Sequence, residues 1–259
     1  MDDSNEQVLA AAPEPADDGT RPMIAVVTGA NSGIGNQIAR QLIAKGLTVH
    51  VGSRDPARGQ AAVDELGPSA HLLVLDVTDE QSVARAANQV PRLDVLVNNA
   101  GISDTGQPPS QSDMATVRGV YETNVFGVLS VTNAFLPALR RSAHPRIVNI
   151  SSGTGSLGWS TGPNPHFDHD THGAFAAYRS SKAALNALTI FYAQELAAQG
   201  SMKVNALAPG LRATHLNSRA AEHGGDPAVA ATEAVRLALL DDDGPTGAFF
   251  SYDSSIATW

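Results

Sequence analysis

The sequence predicts an α/β fold: a doubly wound parallel sheet of about seven strands with helices on both faces. Three observations lead there. Short apolar runs alternate with amphipathic segments from residue 23 almost to the end. The runs are β-branched and nearly continuous in apolar character, as parallel strands buried on both faces are. A glycine-rich turn joins the first run to the first amphipathic segment, where doubly wound folds carry their ligand turn.

Each element follows from its residues. Strand-like runs are MIAVVT (23–28), LTVHV (47–51), HLLVLDV (71–77), LDVLVN (93–98), RIVNIS (146–151), MKVNAL (202–207) and AFFSY (248–252). Helical periodicity fills the intervals at 34–45, 56–66, 79–90, 111–141, 174–199 and 227–240. No internal repeat and no interior linker interrupts the alternation, so residues 23–259 read as one domain. Residues 1–22, MDDSNEQVLAAAPEPADDGTRP, combine acids and prolines with only a short apolar stretch. That composition reads as a disordered acidic tail, since it offers too little apolar surface to offset the entropy of ordering.

Composition excludes several function classes. The 259 residues contain no cysteine, which removes disulfides, thiol nucleophiles and zinc-thiolate sites. The net charge of −9 is wrong for a protein that neutralises nucleic-acid phosphates. Six acids against one arginine within residues 1–22 supply five of those charges, so the remainder is only mildly acidic. No run reaches the roughly 18 apolar residues of a membrane span, and the opening segment lacks the basic start of a signal peptide. The expectation is a soluble, cytoplasmic protein with no metal, membrane or nucleic-acid partner.

Two segments carry chemistry. In TGANSGIG, residues 28–35, glycines at 29, 33 and 35 let the backbone turn tightly and approach a pyrophosphate, whose charge meets the free N–H groups of the following helix. In AAYRSSKAAL, residues 176–185, Tyr178 and Lys182 stand four apart, on one helix face about 6 Å from each other along the axis. Lowering a tyrosine pKa from about 10 to about 7 takes roughly 4 kcal/mol. An ammonium about 4 Å away at an effective dielectric near 20 supplies a similar amount, so the spacing predicts a general acid/base poised near neutral pH.

Thr28–Gly35, Asn98-Asn99-Ala100-Gly101 and Tyr178-x-x-x-Lys182 together resemble the short-chain dehydrogenase/reductase family, the carbonyl reductases in particular, over nearly the whole chain from residue 23. The resemblance implies a Rossmann-type fold and a Ser-Tyr-Lys-Asn site: Ser152 holding the substrate oxygen, Tyr178 as acid/base, Lys182 supporting it, and Asn124 holding a relay water through its main chain. It also implies a nicotinamide cofactor held by Gly29, Asn31, Ser32, Gly33, Ile34 and Gly35 at the first turn, and by Asp76 and Val77 after the third strand. Asn98, Ala100 and Gly101 would border it after the fourth, Pro209, Gly210 and Thr214 after the sixth, and Tyr178 and Lys182 at its reactive end. Arg212 departs from the family pattern, which has a small β-branched residue there.

The second strand ends Val51-Gly52-Ser53-Arg54, with serine where an enzyme using the unphosphorylated cofactor carries an acid. Arg54, with Arg58 four residues on, would meet a 2′-phosphate, so NADP(H) is the expected cofactor. The expected reaction interconverts a ketone or aldehyde and an alcohol. Two alternatives are a non-catalytic NADP-sensing or scaffold protein on the same fold and an epimerase-type enzyme of a related fold. Leu157, Trp159, Leu211, His215 and Leu216 in the loops around the site point to a partly apolar substrate. The 26 residues between Ser152 and Tyr178 exceed the family's usual interval, and GWSTGPNPHFDHDTHG within them reads as a loop. Its His166, Asp168, His169, Asp170 and His172 lack the periodicity of a metal site, so a lid over the substrate mouth is expected instead. Leu188, Phe191 and Tyr192 on the catalytic helix suggest a homodimer or homotetramer.

Overall fold

The computed structural model describes residues 21–164, 166–167, 171–198 and 200–259; residues 1–20 of the expected tail lie outside them. Seven parallel strands form one sheet in the order β3-β2-β1-β4-β5-β6-β7. They are β1 (Ile24–Val27), β2 (Thr48–Ser53), β3 (Ala70–Val74), β4 (Val95–Asn98), β5 (Arg146–Ile150), β6 (Lys203–Ala208) and β7 (Phe249–Ser251). The strand order reverses between β1 and β4, which leaves a crevice beyond their carboxyl ends.

Alternation along each strand feeds two cores. Val27, Val49, Val51, Val95 and Val97 face α1 (Gly33–Ala44), α2 (Pro56–Leu66) and α9 (Pro227–Ala238). Val26, Leu96, Ile147 and Val204 face α3 (Glu80–Gln89), α5 (Gly127–Leu139) and α7 (Ala176–Ala197) on the other side. Both faces are covered, which is why the strands read as unbroken apolar runs.

The single helix expected at 111–141 is instead α4 (Met114–Tyr121), a π turn (Glu122–Phe126) and α5. The π turn holds Asn124 and inserts one residue into the helical pattern. It sits where Gly127 packs so close to Val77 that a Cβ would fall 2.9 Å from its side chain. Two short helices were not anticipated: α6 (Leu157–Ser160) and α8 (Ser218–His223). Among the described residues, no helix is long and apolar enough to cross a membrane.

Candidate active site

A cleft of about 360 Å³ lies beyond the carboxyl ends of β1 and β4 and is lined from the glycine turn to the Tyr178–Lys182 pair. Its floor is a lock between two turns. Thr28, buried at the end of β1, accepts hydrogen bonds at Oγ1 from the Asn99 and Ala100 N–H groups, each at 2.9 Å. Asn99 returns its amide to the Thr28 and Gly29 carbonyls at 2.9 and 3.2 Å. Gly29, at φ +62°, leaves room for Ala100, and a Cβ on Gly35 would sit 2.4 Å from the Asn99 amide nitrogen. The glycine spacing therefore answers to the Asn-Asn-Ala-Gly turn as much as to any ligand.

Asn31, Ser32, Gly33 and Ile34 line the cleft at the start of α1, which has no side-chain cap. Its first N–H groups are thus available to an anion. Across from them Thr214 approaches, its Cγ2 3.2 Å from where a Gly33 Cβ would be. Arg54, Arg58, Asp76, Val77, Ala100, Gly101 and Pro209 also line the cleft. Ser53 does not reach into it as a donor, since its hydroxyl bonds the Asp55 carbonyl at 2.8 Å. Asp76 is held by Thr78, whose N–H and hydroxyl both donate to Oδ1.

Three expected ligand residues stand behind the surface. Asn98 is buried, with its amide donating to Asn149 at 2.9 Å and Thr132 at 3.0 Å, so it ties β4 to β5 and α5 while Asn99 takes the cleft position. Gly35 packs beneath Asn99. Gly210, at φ +70°, gives way to the Tyr252 ring, 2.8 Å from a would-be Cβ. Thr123, Ile150 and Ile102 line the cleft without having been anticipated. Each lies on or beside a segment that meets the carboxyl end of the sheet, which is the signal that finds them.

The catalytic candidates converge at the far end. Ser152 follows β5, and Gly155 lets that turn press on α7, where a Cβ would meet the Lys182 Cβ at 2.7 Å. The Ser152 hydroxyl pairs with the Thr154 hydroxyl at 2.9 Å and accepts the Thr154 N–H at 3.2 Å, and it lies near enough to the Tyr178 phenol to favour the phenolate. Lys182 is buried, donates from Nζ to the Ile150 carbonyl at 2.8 Å, and stands 5.7 Å from the Tyr178 ring centre. Asn124, fully buried in the π turn, grips Ile102 from both sides: Oδ1 accepts its N–H and Nδ2 donates to its carbonyl, each at 2.9 Å. Nδ2 also donates to Ser181 at 3.0 Å. The side chain is fully engaged, which agrees with a role through the main chain.

One expectation is corrected here. The spacing predicted that Lys182 would bring the phenol toward neutrality. Burial dominates: it pushes Tyr178 up to about 12, opposed by the nearby Ser152 hydroxyl, and pulls Lys182 down to about 8. Desolvation disfavours phenolate and ammonium alike.

The insertion folds back on the sheet's end. Trp159 lies over Gly153, 2.9 Å from a would-be Cβ, and stacks with His166 at 4.4 Å between ring centres. Phe167 and Phe249 flank it at 6.3 Å each, and His166 meets Tyr252 at 6.0 Å. Arg212 lies 4.2 Å above Tyr252 and bonds the Pro209 carbonyl, so the unusual arginine braces this wall. Leu157 and Leu211, expected at the pocket, are 67% and 43% exposed, whereas His215 and Leu216 do line the cleft. Asp168, His169 and Asp170 of the discounted metal cluster lie outside the described residues.

Comparison with known proteins agrees with this geometry. The family model described as short chain dehydrogenase matches residues 23–224. The chain is 34% identical to (-)-isopiperitenone reductase of Mentha piperita, covering 91% of this chain and 98% of that one. It is 35% identical to salutaridine reductase of Papaver bracteatum, over 91% and 96%. An NADPH-bound carbonyl reductase from chicken fatty liver superposes with a TM-score of 0.77 at 28% identity, over 92% of this chain and all of that one. ElxO with NADP bound superposes at 0.76 and 27% identity, over 90% and 97%. The chain belongs to the short-chain dehydrogenase/reductase family of oxidoreductases.

Proposed function

We propose that the chain is an NADP(H)-dependent reductase that interconverts a ketone or aldehyde and the corresponding alcohol. The observation that carries this reading is Tyr178 and Lys182 at one end of a cleft, with Ser152 beside Tyr178, and Arg54 and Arg58 on the other wall. The residues fit the cofactor: an uncapped helix start for the pyrophosphate and two guanidinium groups for a 2′-phosphate. When bound, the cofactor supplies hydride to the carbonyl carbon.

The chain's own residues do the rest. Ser152 donates a hydrogen bond to the carbonyl oxygen and stabilises the charge that develops there. Tyr178, protonated at neutral pH because burial raises it, gives its proton to that oxygen. Lys182 stays largely cationic below its lowered pKa of about 8 and favours the phenolate left behind. Asn124, Lys182 and Gly101 lie together at the inner wall, where a water on the Asn124 main chain would return the proton.

The named relatives act on isopiperitenone and salutaridine, and this supports a bulky, partly apolar carbonyl substrate. The 158–173 insertion acts as a lid that selects among such substrates. The active assembly is a homodimer or homotetramer joined through α7. A panel of ketones, aldehydes and quinones, followed by oxidation of NADPH and of NADH in parallel, tests the proposal: consumption of NADPH supports it, and NADH preference would overturn the cofactor assignment.

A further inference from the structure

The helix that carries the catalytic pair begins in an unusual way. α7 is the longest helix, at 22 residues, and its N-cap Phe175 has left-handed backbone angles (φ 59°, ψ 39°) and offers no side-chain cap. Phenylalanine is a poor residue for that region. The missing cap comes from 74 residues earlier: Asp104 Oδ2 accepts the Tyr178 N–H at 3.0 Å, and Oδ1 accepts the Gly106 N–H at 2.8 Å. The Gln107 carbonyl accepts the Ala176 N–H at 3.3 Å. Gly106, at φ +89°, presses on the Phe175 ring, 3.2 Å from a would-be Cβ. Asp104 itself is only 8% exposed. A buried carboxylate at the start of a long helix also complements its dipole.

The same loop is fixed at its other end by Asn124, which grips Ile102 at the cleft. One three-residue stretch, Ile102 to Asp104, thus links the relay residue to the backbone of the proton donor. We infer that Asp104 is a positioning residue for Tyr178: its carboxylate sets the height of the first turn of α7, and with it the placement of the phenol against Ser152 and the substrate oxygen. The inference rests on the reading of Tyr178 as the proton donor. A positioned acid loses much of its effect when its backbone shifts by a fraction of an ångström, whereas a group that only stabilises the fold changes stability and leaves turnover alone.

The test compares wild type with Asp104→Ala, Asp104→Asn and Asp226→Ala. Asp226 caps α9 with one bond to the Ala228 N–H and faces the Arg212 charge, so its loss removes a helix cap without touching Ser152, Tyr178 or Lys182. Asp104→Ala is expected to lower kcat by about tenfold or more while the NADPH Kd, read by fluorescence titration, stays within about twofold. Asp104→Asn keeps an acceptor for only one of the two N–H groups and falls between. Asp226→Ala lowers Tm with kcat unchanged. Hydrogen exchange at residues 176–180 should rise in Asp104→Ala and not in Asp226→Ala. Wild-type kcat in Asp104→Ala, or an equal loss in Asp226→Ala, would overturn the inference; should Asp104→Ala not fold, wild-type kcat in Asp104→Asn would do so. A wild type that reduces no carbonyl defeats the proposed reaction, and the exchange comparison then decides the positioning claim by itself.

Discussion

Tyr178 and Lys182 are both buried, and burial opposes the charged form of each. With the phenol pushed up to about 12 and the ammonium pulled down to about 8, the group that titrates near working pH is the lysine. A lysine is charged below its pKa, so kcat/KM for carbonyl reduction is predicted to hold level below about pH 8 and to fall above it. A profile from about pH 6 to about pH 10 checks this, since kcat/KM reports the free enzyme; a limb that instead falls on the acid side would reverse the assignment. Arg54 gives a second prediction at this scale. Arg54→Asp places a carboxylate where a 2′-phosphate would lie and should move the NADPH/NADH ratio of kcat/KM toward NADH by about tenfold or more, the worth of one charge-assisted hydrogen bond of roughly 1.5–3 kcal/mol. An unchanged ratio removes Arg54 from the site.

At the scale of elements, strands and motifs were legible for physical reasons. Parallel strands bury both faces and so announce themselves as apolar runs, and the glycine turn and the Tyr-Lys spacing are local patterns that carry chemistry. What stayed hidden depends on packing between distant residues. Which asparagine of the Asn98-Asn99 pair meets the cleft is decided by strand alternation at the β4 terminus, and the close approach of Gly127 to Val77 joins residues 50 apart. Asp104 lies 74 residues from the N–H it accepts. Nor does composition reveal that the insertion docks: its Gly, Pro, Asn and His read as solvated, yet His166 and Phe167 pack on Trp159. Arg179, the neighbour of Tyr178, bonds Thr171 and so ties the end of the insertion to α7. Replacing residues 161–171 by a short Gly/Ser linker should therefore change KM across the carbonyl panel and leave the NADPH Kd within about twofold. An unchanged rank order of substrates would contradict a lid.

At the scale of the molecule, the site lies at the carboxyl end of the sheet and the fold is fastened at the other. Arg146, 2% exposed, donates to the Leu240, Pro145 and Ser201 carbonyls and to Asp242 at 2.7 Å, binding the start of β5 to the segments before β6 and after α9. Arg146→Ala leaves buried acceptors unpaired and should cost roughly 3 kcal/mol, a Tm fall of about 6–12 °C, with kcat of the folded fraction unchanged. The apolar surface open to a partner is narrower than the sequence suggested. Tyr192 is buried and bonds Asn133, while Phe191 on α7 and Phe126 beside α5 remain 60% and 53% exposed. The account stands or falls on Tyr178. With NADPH and a carbonyl substrate that the wild type reduces, Tyr178→Phe is predicted to lose about 10²–10⁴-fold in kcat, the usual worth of a general acid, while NADPH binds within about twofold of wild type. Turnover retained at the wild-type rate would contradict the assignment of the proton donor and the mechanism built on it.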